Sequence, residues 1–173
     1  MCRYICSLLL IWFLTGCTQP AAPESKEGRS SELTHLLMTL DANIPEQEAK
    51  ILSQDILYRS TALERSFDRS TAPWVHNFMV NVGLKEKGLC YQYADGLYSY
   101  LKKRDYPHFD FHLAGAHIGE YWREHNTLVV TAKDGNLQDG IVIDPWRKQG
   151  EVFVAKLKDD KVYAWKHRPE REY

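Results

Sequence analysis

The chain has 173 residues, with 22 Lys or Arg against 23 Asp or Glu, so its net charge is close to zero. This balance, without a long basic run, argues against a protein that binds nucleic acid. Hydrophobic residues make up 44% of the sequence, which is enough for one packed domain.

Residues 1–16 have the pattern of a secretory signal peptide. Arg3 supplies a positive charge, residues 5–14 are largely apolar, and Leu14-Thr15-Gly16-Cys17 ends the segment. The apolar run is too short to span a bilayer, so a cleaved signal is favoured over an uncleaved anchor. The ending resembles the lipobox of bacterial lipoproteins, which implies cleavage before Cys17, lipid on its sulfur and attachment to the membrane. Thr18 replaces the Asp that retains many lipoproteins at the inner membrane, so the resemblance implies the periplasmic face of the outer membrane.

The rest of the chain divides into a tether and a domain. Residues 17–31 are rich in Pro, Ser, Glu and Lys and predict a flexible, lipidated tether. Residues 32–173 predict a single domain. Apolar residues at helical spacing predict four helices, which begin after Ser30 or Ser31, at Pro45, near Pro73 and at Cys90.

From Phe109 onward the sequence changes character. Short runs rich in β-branched and aromatic residues, separated by turn signals, predict five strands. These runs are residues 109–113, 127–132, 140–143, 151–156 and 161–165. Helices followed by antiparallel strands are typical of the α+β class, here with the Cys90 helix packed on a C-terminal sheet.

Cys90 is the candidate nucleophile. Once the signal is removed and Cys17 carries lipid, Cys90 is the only thiol left. Its position in the first turn of a helix places the sulfur near the positive end of the helix dipole, which favours the thiolate. A buried core cysteine is the alternative interpretation. A thiol–disulfide oxidoreductase is disfavoured because no second thiol remains to resolve a mixed disulfide.

A catalytic thiol needs a base, commonly a His that is oriented by a third group. A two-residue hairpin turn at Asp134-Gly135 would place His125 directly opposite Asp144 on the next strand, within reach of a hydrogen bond. The polar residues 136–139 leave open a longer loop with a different register.

Three motifs in this order resemble the transglutaminase-like, papain-related superfamily. They are Gly-Leu-Cys at a helix start, His-Asn at a strand start, and Ile-Asp-Pro-Trp at the end of the next strand. The resemblance implies Cys90 as nucleophile, His125 as general base and acid, and Asp144 as the residue that orients His125. It also implies a cysteine helix packed on an antiparallel sheet. The implied chemistry acts on amide bonds through a thioester, without a metal or an organic cofactor.

The oxyanion hole is less well defined. The backbone N–H of Cys90 is a natural donor because it lies in the first turn of the helix. The sequence does not choose a second donor among Trp74, Asn77, Asn81 and Gln92.

Three histidines lie close together in the sequence. His108 and His112 share one face of a predicted strand, but His117 falls on the other face, and no Cys or clear carboxylate completes a metal site. Structural or solvated histidines are therefore favoured over metal ligands.

The sequence thus predicts an envelope lipoprotein of the cysteine peptidase, amidase or transglutaminase type. Its expected substrates are peptides or proteins of the envelope, including those linked to peptidoglycan. The alternative is a catalytically silent papain-like scaffold that serves in binding or assembly.

Overall fold

A computed structural model describes residues 26–68, 73–84, 88–120, 122–148 and 151–172. The predicted signal, Cys17 and the start of the tether lie outside these residues. The described helices are α1 (Lys26–Met38), α2 (Glu46–Ser66), α3 (Pro73–Asn81) and α4 (Cys90–Leu101). The strands are β1 (Phe109–Ala116), β2 (His125–Ala132), β3 (Ile141–Lys148), β4 (Glu151–Lys156) and β5 (Lys166–His167). Among the described residues, no helix has the length and apolar character needed to cross a membrane.

The α+β prediction is confirmed. The strands form one antiparallel sheet in the order β4-β3-β2-β1-β5, and α4, which begins with the cysteine, packs on it. The helix predicted to begin at Pro45 is present as α2, and its apolar residues Ala49, Leu52, Ile56 and Leu63 are all buried. They join Leu97 of α4 and the inner strand residues in one core. Burial of each such Leu or Ile stabilises the fold by about 1.5–3 kcal/mol.

Helix α1 begins earlier than the sequence predicted, at Lys26 rather than after Ser30 or Ser31. Contacts from distant parts of the chain hold its first turns. Arg29 pairs with Glu151 at 2.7 Å, and the Ser53 hydroxyl donates to the Ser30 carbonyl oxygen at 2.8 Å. The part of the predicted tether that the structure describes is therefore helical.

The register of β2 and β3 differs from the predicted one by two residues. Leu128 lies opposite Ile143, whereas the predicted turn would have placed His125 opposite Asp144. The prediction was wrong because the connection is longer than a two-residue turn and contains a 3₁₀ helix at Leu137–Asp139. A displacement by two residues leaves every side chain on its own face. His125 and Asp144 are therefore diagonal neighbours on one face of the sheet.

Different parts of the chain cover the two faces of the sheet. The helices cover one face, and a smaller cluster that includes Val129, Val142 and Trp165 lies on the other. The predicted strand at residues 161–165 is wrong, and the short strand β5 pairs with β1 instead. Tyr163 and Trp165 pack their rings against the imidazole of His125, with centroids 4.7 Å and 5.6 Å away. Residues 161–172, hereafter the C-terminal segment, thus cover the imidazole of His125.

Candidate active site

Cys90 is half-buried at the first position of α4, and its sulfur lies 3.9 Å from the carbonyl oxygen of Glu124. Gln92 explains why the helix begins here. Its side-chain oxygen accepts hydrogen bonds from the N–H groups of Gly88 at 2.6 Å and Leu89 at 3.1 Å. These bonds cap the helix and fix the chain just before the cysteine.

Gly88 allows a close approach between the cysteine loop and α3. Its φ of +109° lies outside the range that L side chains adopt readily, and a Cβ atom would lie 2.2 Å from Nε2 of His76. On the other side, the indole N–H of Trp146 donates to the Gly88 carbonyl oxygen at 3.1 Å. The backbone leading into Cys90 is therefore held between α3 and β3.

His125 and Asp144 form a buried pair. Nε2 of His125 donates to Oδ2 of Asp144 at 2.6 Å, and the two residues are 2% and 0% exposed. Burial on its own lowers the pKa of His125, but the Asp144 charge and an interaction with the Cys90 sulfur outweigh it and raise the pKa to about 9. The imidazole is therefore protonated at neutral pH. Because Nε2 is bonded to Asp144, Nδ1 is the nitrogen left for the sulfur.

Asp144 accepts four hydrogen bonds. Oδ1 accepts from the backbone N–H groups of Trp146 and Arg147, and Oδ2 accepts from His125 and from Nε of Arg147. Burial on its own raises the pKa of Asp144, but the neighbouring His125 and Arg147 cations lower it below its ordinary value. The carboxylate therefore stays ionised at neutral pH.

Arg147 is a site residue that was not predicted from the sequence. Strict alternation along a strand would place it on the face opposite Asp144, three residues earlier. A register irregularity between Asp144 and Lys148 turns the strand and brings both groups together. Arg147 also donates to Oδ2 of Asp160 at 2.7 Å, and its guanidinium carbon lies 3.8 Å from the ring centroid of Phe153. Arg147 thus holds the carboxylate that holds the imidazole.

The N–H of Gln92 is the first in this helix to donate to a helical carbonyl oxygen, that of Leu89. The backbone N–H of Cys90 lies two residues before it. Its role as an oxyanion donor remains a prediction. The side-chain oxygen of Gln92 accepts the bonds that cap the helix, so only its amide nitrogen is left as a candidate second donor. The side chains of the other three candidates, Trp74, Asn77 and Asn81, lie outside what the structure describes.

An open cleft of about 630 Å³ reaches the Cys90 sulfur. Its walls include three exposed apolar side chains, Tyr91, Trp122 and Val162, together with Arg123. A second cleft, of about 820 Å³, lies between α1, α2 and β4 and contains no predicted site residue. The cleft that contains Cys90 and His125 is therefore the smaller of the two.

Two arginines of the C-terminal segment brace the walls of the Cys90 cleft. Arg168 donates to the Glu124 carboxylate at 3.0 Å. Arg171 donates to Oδ1 of Asn126 at 2.7 Å and to both oxygens of Asp95, the nearer at 2.6 Å. These bonds connect α4 to the start of β2, the two elements that carry the cysteine and the histidine.

The three clustered histidines have different partners. Nδ1 of His108 lies 2.6 Å from a carboxylate oxygen of Glu48, and His117 lies 3.5 Å from Glu120. His112 lies instead beside His167, a residue for which the sequence predicted no site.

Comparisons of the chain with models of protein families, with curated proteins and with solved structures found no match.

Proposed function

We propose that this chain is a cysteine-dependent enzyme, related to the transglutaminase-like and papain-like proteins, that acts on amide bonds through a thioester. One observation carries the proposal: a buried His125–Asp144 hydrogen bond of 2.6 Å stands beside a half-buried thiol at the wall of an open cleft. An imidazole–carboxylate pair alone is common in structural roles. Its contact with the Cys90 sulfur favours catalysis.

The reaction follows from the protonation states. The His125 imidazolium stabilises the Cys90 thiolate, which attacks the carbonyl carbon of the substrate. The oxyanion that forms accepts a hydrogen bond from the Cys90 backbone N–H. His125 then gives its proton to the leaving amine, and the thioester remains. Water or a second amine, deprotonated by His125, releases the acyl group, while Asp144 keeps its charge throughout.

The cleft and the N-terminal sequence together suggest the substrate class. Exposed apolar walls at Tyr91, Trp122 and Val162 suit a peptide with aromatic or aliphatic side chains. Lipid on Cys17 would hold the domain at the periplasmic face of the outer membrane. We therefore propose peptides or proteins of the envelope, including those linked to peptidoglycan, as substrates.

A second candidate function is a papain-like scaffold that binds or assembles envelope components without catalysis. The observation in its favour is that the Cys90 sulfur is placed to donate its proton to the Glu124 carbonyl oxygen at 3.9 Å, which only the neutral thiol can do. A scaffold needs no activated sulfur, so the reactivity of Cys90 distinguishes the two candidates.

The test is the rate at which iodoacetamide alkylates Cys90, followed by mass spectrometry across pH. An enzyme keeps reacting at about pH 6, well below the ordinary thiol pKa of about 8.5, because the imidazolium stabilises the thiolate. His125→Ala and the larger His125→Gln should each slow the reaction at pH 6 by at least about tenfold.

His117→Ala provides the matched control because His117 lines the same cleft without contacting the pair. Its alkylation rate should equal that of the wild-type chain. Ordinary thiol behaviour in the wild-type chain, unaffected by either His125 variant, would refute the enzyme and favour the scaffold.

A further inference from the structure

A second imidazole–carboxylate cluster lies between β1, β5 and the end of the chain. It consists of His112, His167 and Glu172. His167 pairs with Ala114, two residues from His112, so the two rings stand on the same face and their centroids are 5.1 Å apart. Glu172 follows the 3₁₀ helix Pro169–Arg171 and reaches back toward both rings. None of these three residues contributes to the catalytic mechanism.

The distances within the cluster suit a metal ion. Nε2 of His167 lies 2.8 Å from Oε1 of Glu172, and Nδ1 of His112 lies 3.8 Å from the same oxygen. All three ligand atoms lie within 4.8 Å of one another. Zinc–ligand bonds of about 2.0–2.2 Å in tetrahedral geometry separate two ligand atoms by about 3.4 Å. The separations of 2.8 Å and 3.8 Å lie on either side of that value.

One ring nitrogen in the cluster makes no hydrogen bond with the described residues. Nδ1 of His112 is buried and accepts or donates no hydrogen bond among the residues that the structure describes. The other nitrogen of the ring is engaged by the Thr131 hydroxyl at 3.2 Å. A buried polar atom without a partner costs free energy and points to a ligand that satisfies it.

Hydrogen bonds with neighbouring groups fix the side chains of Glu172 and His112, as is usual for metal ligands. Oε1 of Glu172 accepts the backbone N–H of Leu113 at 2.7 Å, which fixes the carboxylate. The Thr131 hydroxyl fixes the ring of His112 in the same way. Hydrogen bonds of this kind hold metal ligands in place and tune their affinity.

We propose that His112, His167 and Glu172 bind a divalent transition metal ion, with Zn²⁺ as the ion that fits best. Two imidazole nitrogens and one carboxylate are a common zinc donor set, and the exposed side of His167 leaves the fourth position to water. Both imidazoles coordinate through lone pairs, so any proton on either coordinating nitrogen passes to solvent when the ion binds.

The ion would join β1 to the C-terminal segment. That segment carries Arg168 and Arg171, which hold Glu124 and Asp95 beside the cleft. Metal binding therefore stabilises the fold around the cleft, whether or not the cysteine is catalytic. The inference does not depend on the proposed function.

The test is a titration of the full-length chain with ZnCl₂, in competition with a chromophoric chelator, after the thiols have been alkylated with iodoacetamide. Alkylation removes sulfur as an alternative ligand. We expect one equivalent to bind, the thermal midpoint to rise with zinc, and His167→Ala to weaken binding by at least about tenfold. Glu172→Gln keeps an oxygen that can accept from Leu113, and should weaken binding to a similar extent.

His108→Ala is the matched control, because His108 is also a partly exposed histidine paired with a carboxylate. It should bind zinc as the wild-type chain does. The proposal is overturned if no equivalent of zinc binds, or if binding persists unchanged in both His167→Ala and Glu172→Gln.

Discussion

Two imidazole–carboxylate clusters stand on the same face of the sheet and differ in how far their polar atoms are satisfied. Asp144 accepts four hydrogen bonds, and its bond to His125 is buried under aromatic rings. In the other cluster, His112 has a buried nitrogen without a hydrogen-bond partner among the described residues, and His167 is exposed. The same residue types thus serve two purposes. A pair whose polar atoms are all hydrogen-bonded fixes a charge, whereas a cluster with a nitrogen that makes no hydrogen bond keeps the capacity to bind an ion.

The satisfied cluster is also a chain of alternating charges. The His125 imidazolium lies against the Asp144 carboxylate, which lies against the Arg147 guanidinium, which lies against the Asp160 carboxylate. Each buried charge therefore has a neighbour of opposite sign, as burial requires. At the far end, the indole N–H of Trp165 donates to Asp160 at 2.9 Å. The Cys90 sulfur contacts His125 at the near end of this chain.

The strongest test of the contrast removes each carboxylate in turn. Asp144→Ala leaves the buried His125 imidazolium without its carboxylate and removes one of the two carboxylates that Arg147 contacts, so we expect it to lower the free energy of unfolding by about 3–5 kcal/mol. Glu172→Ala removes the acceptor of two hydrogen bonds in a half-exposed position and should cost about 1–2 kcal/mol. Urea denaturation measures both. Equal losses in the two variants would mean that the clusters do not differ in kind.

The pH dependence of stability sharpens the contrast next. His125 keeps its proton in the folded chain to about pH 9 and would lose it near pH 6.5 when unfolded. Its stabilisation is complete below about pH 6.5 and is lost as the pH rises through about 9. Relative to His125→Gln, the wild-type chain should lose on the order of 3 kcal/mol across this window. Parallel unfolding curves for the two proteins at pH 6, 7, 8 and 9 would contradict this prediction.

An NMR titration of the imidazole resonances checks the same prediction directly. In Asp144→Asn the charge that raises the pKa of His125 is gone and burial prevails, so His125 should titrate at or below its ordinary value.

The contribution of Asp144 to the free energy of unfolding depends on pH in the opposite direction. Its stabilisation is present above its ordinary pKa of 3.8 and is lost as the pH falls through its lower folded pKa.

The smallest expected difference concerns the loop that leads into Cys90. Gly88 and Gly119 both have positive φ, but only Gly88 has an atom within 4 Å of the position a Cβ would take, on His76. Gly119→Ala measures the cost of the backbone angle, about 1–2 kcal/mol. Gly88→Ala should cost about 1–3 kcal/mol more, because its methyl group meets the imidazole. Equal losses in thermal or urea unfolding would show that the loop yields without penalty.

The sequence predicted those features that local patterns control. Periodicity placed Cys90 at a helix start, and runs rich in β-branched residues placed most of β2 and the first half of β3, the strands that carry His125 and Asp144. The face of the sheet was also predictable, because an error of two residues in register leaves the pleat unchanged. The exact pairing was not, since the 3₁₀ helix Leu137–Asp139 lengthens the connection between the strands.

The features that escaped prediction depend on distant parts of the chain. Arg147 joins the site only because the strand is irregular after Asp144, and no composition signal marks that irregularity. His112 was compared with its sequence neighbour His108, whereas its real companions come from the C-terminal segment, which only folding brings alongside β1. For the same reason, residues 161–165 were mistaken for a strand, although their aromatic rings cover His125.

The alternation of strand β2 decides where this chain tolerates a change in length. Extra residues in the connection around Asp134-Gly135 should leave the imidazole in place. The pairing of Leu128 with Ile143 sets the position of His125, and it does not depend on the length of that connection. One residue inserted between His125 and Leu128 would turn the imidazole toward the helices and leave the Asp144 carboxylate facing Arg147 alone. Insertions in the connection should thus preserve the His125–Asp144 pair, whereas an insertion within the strand should break it.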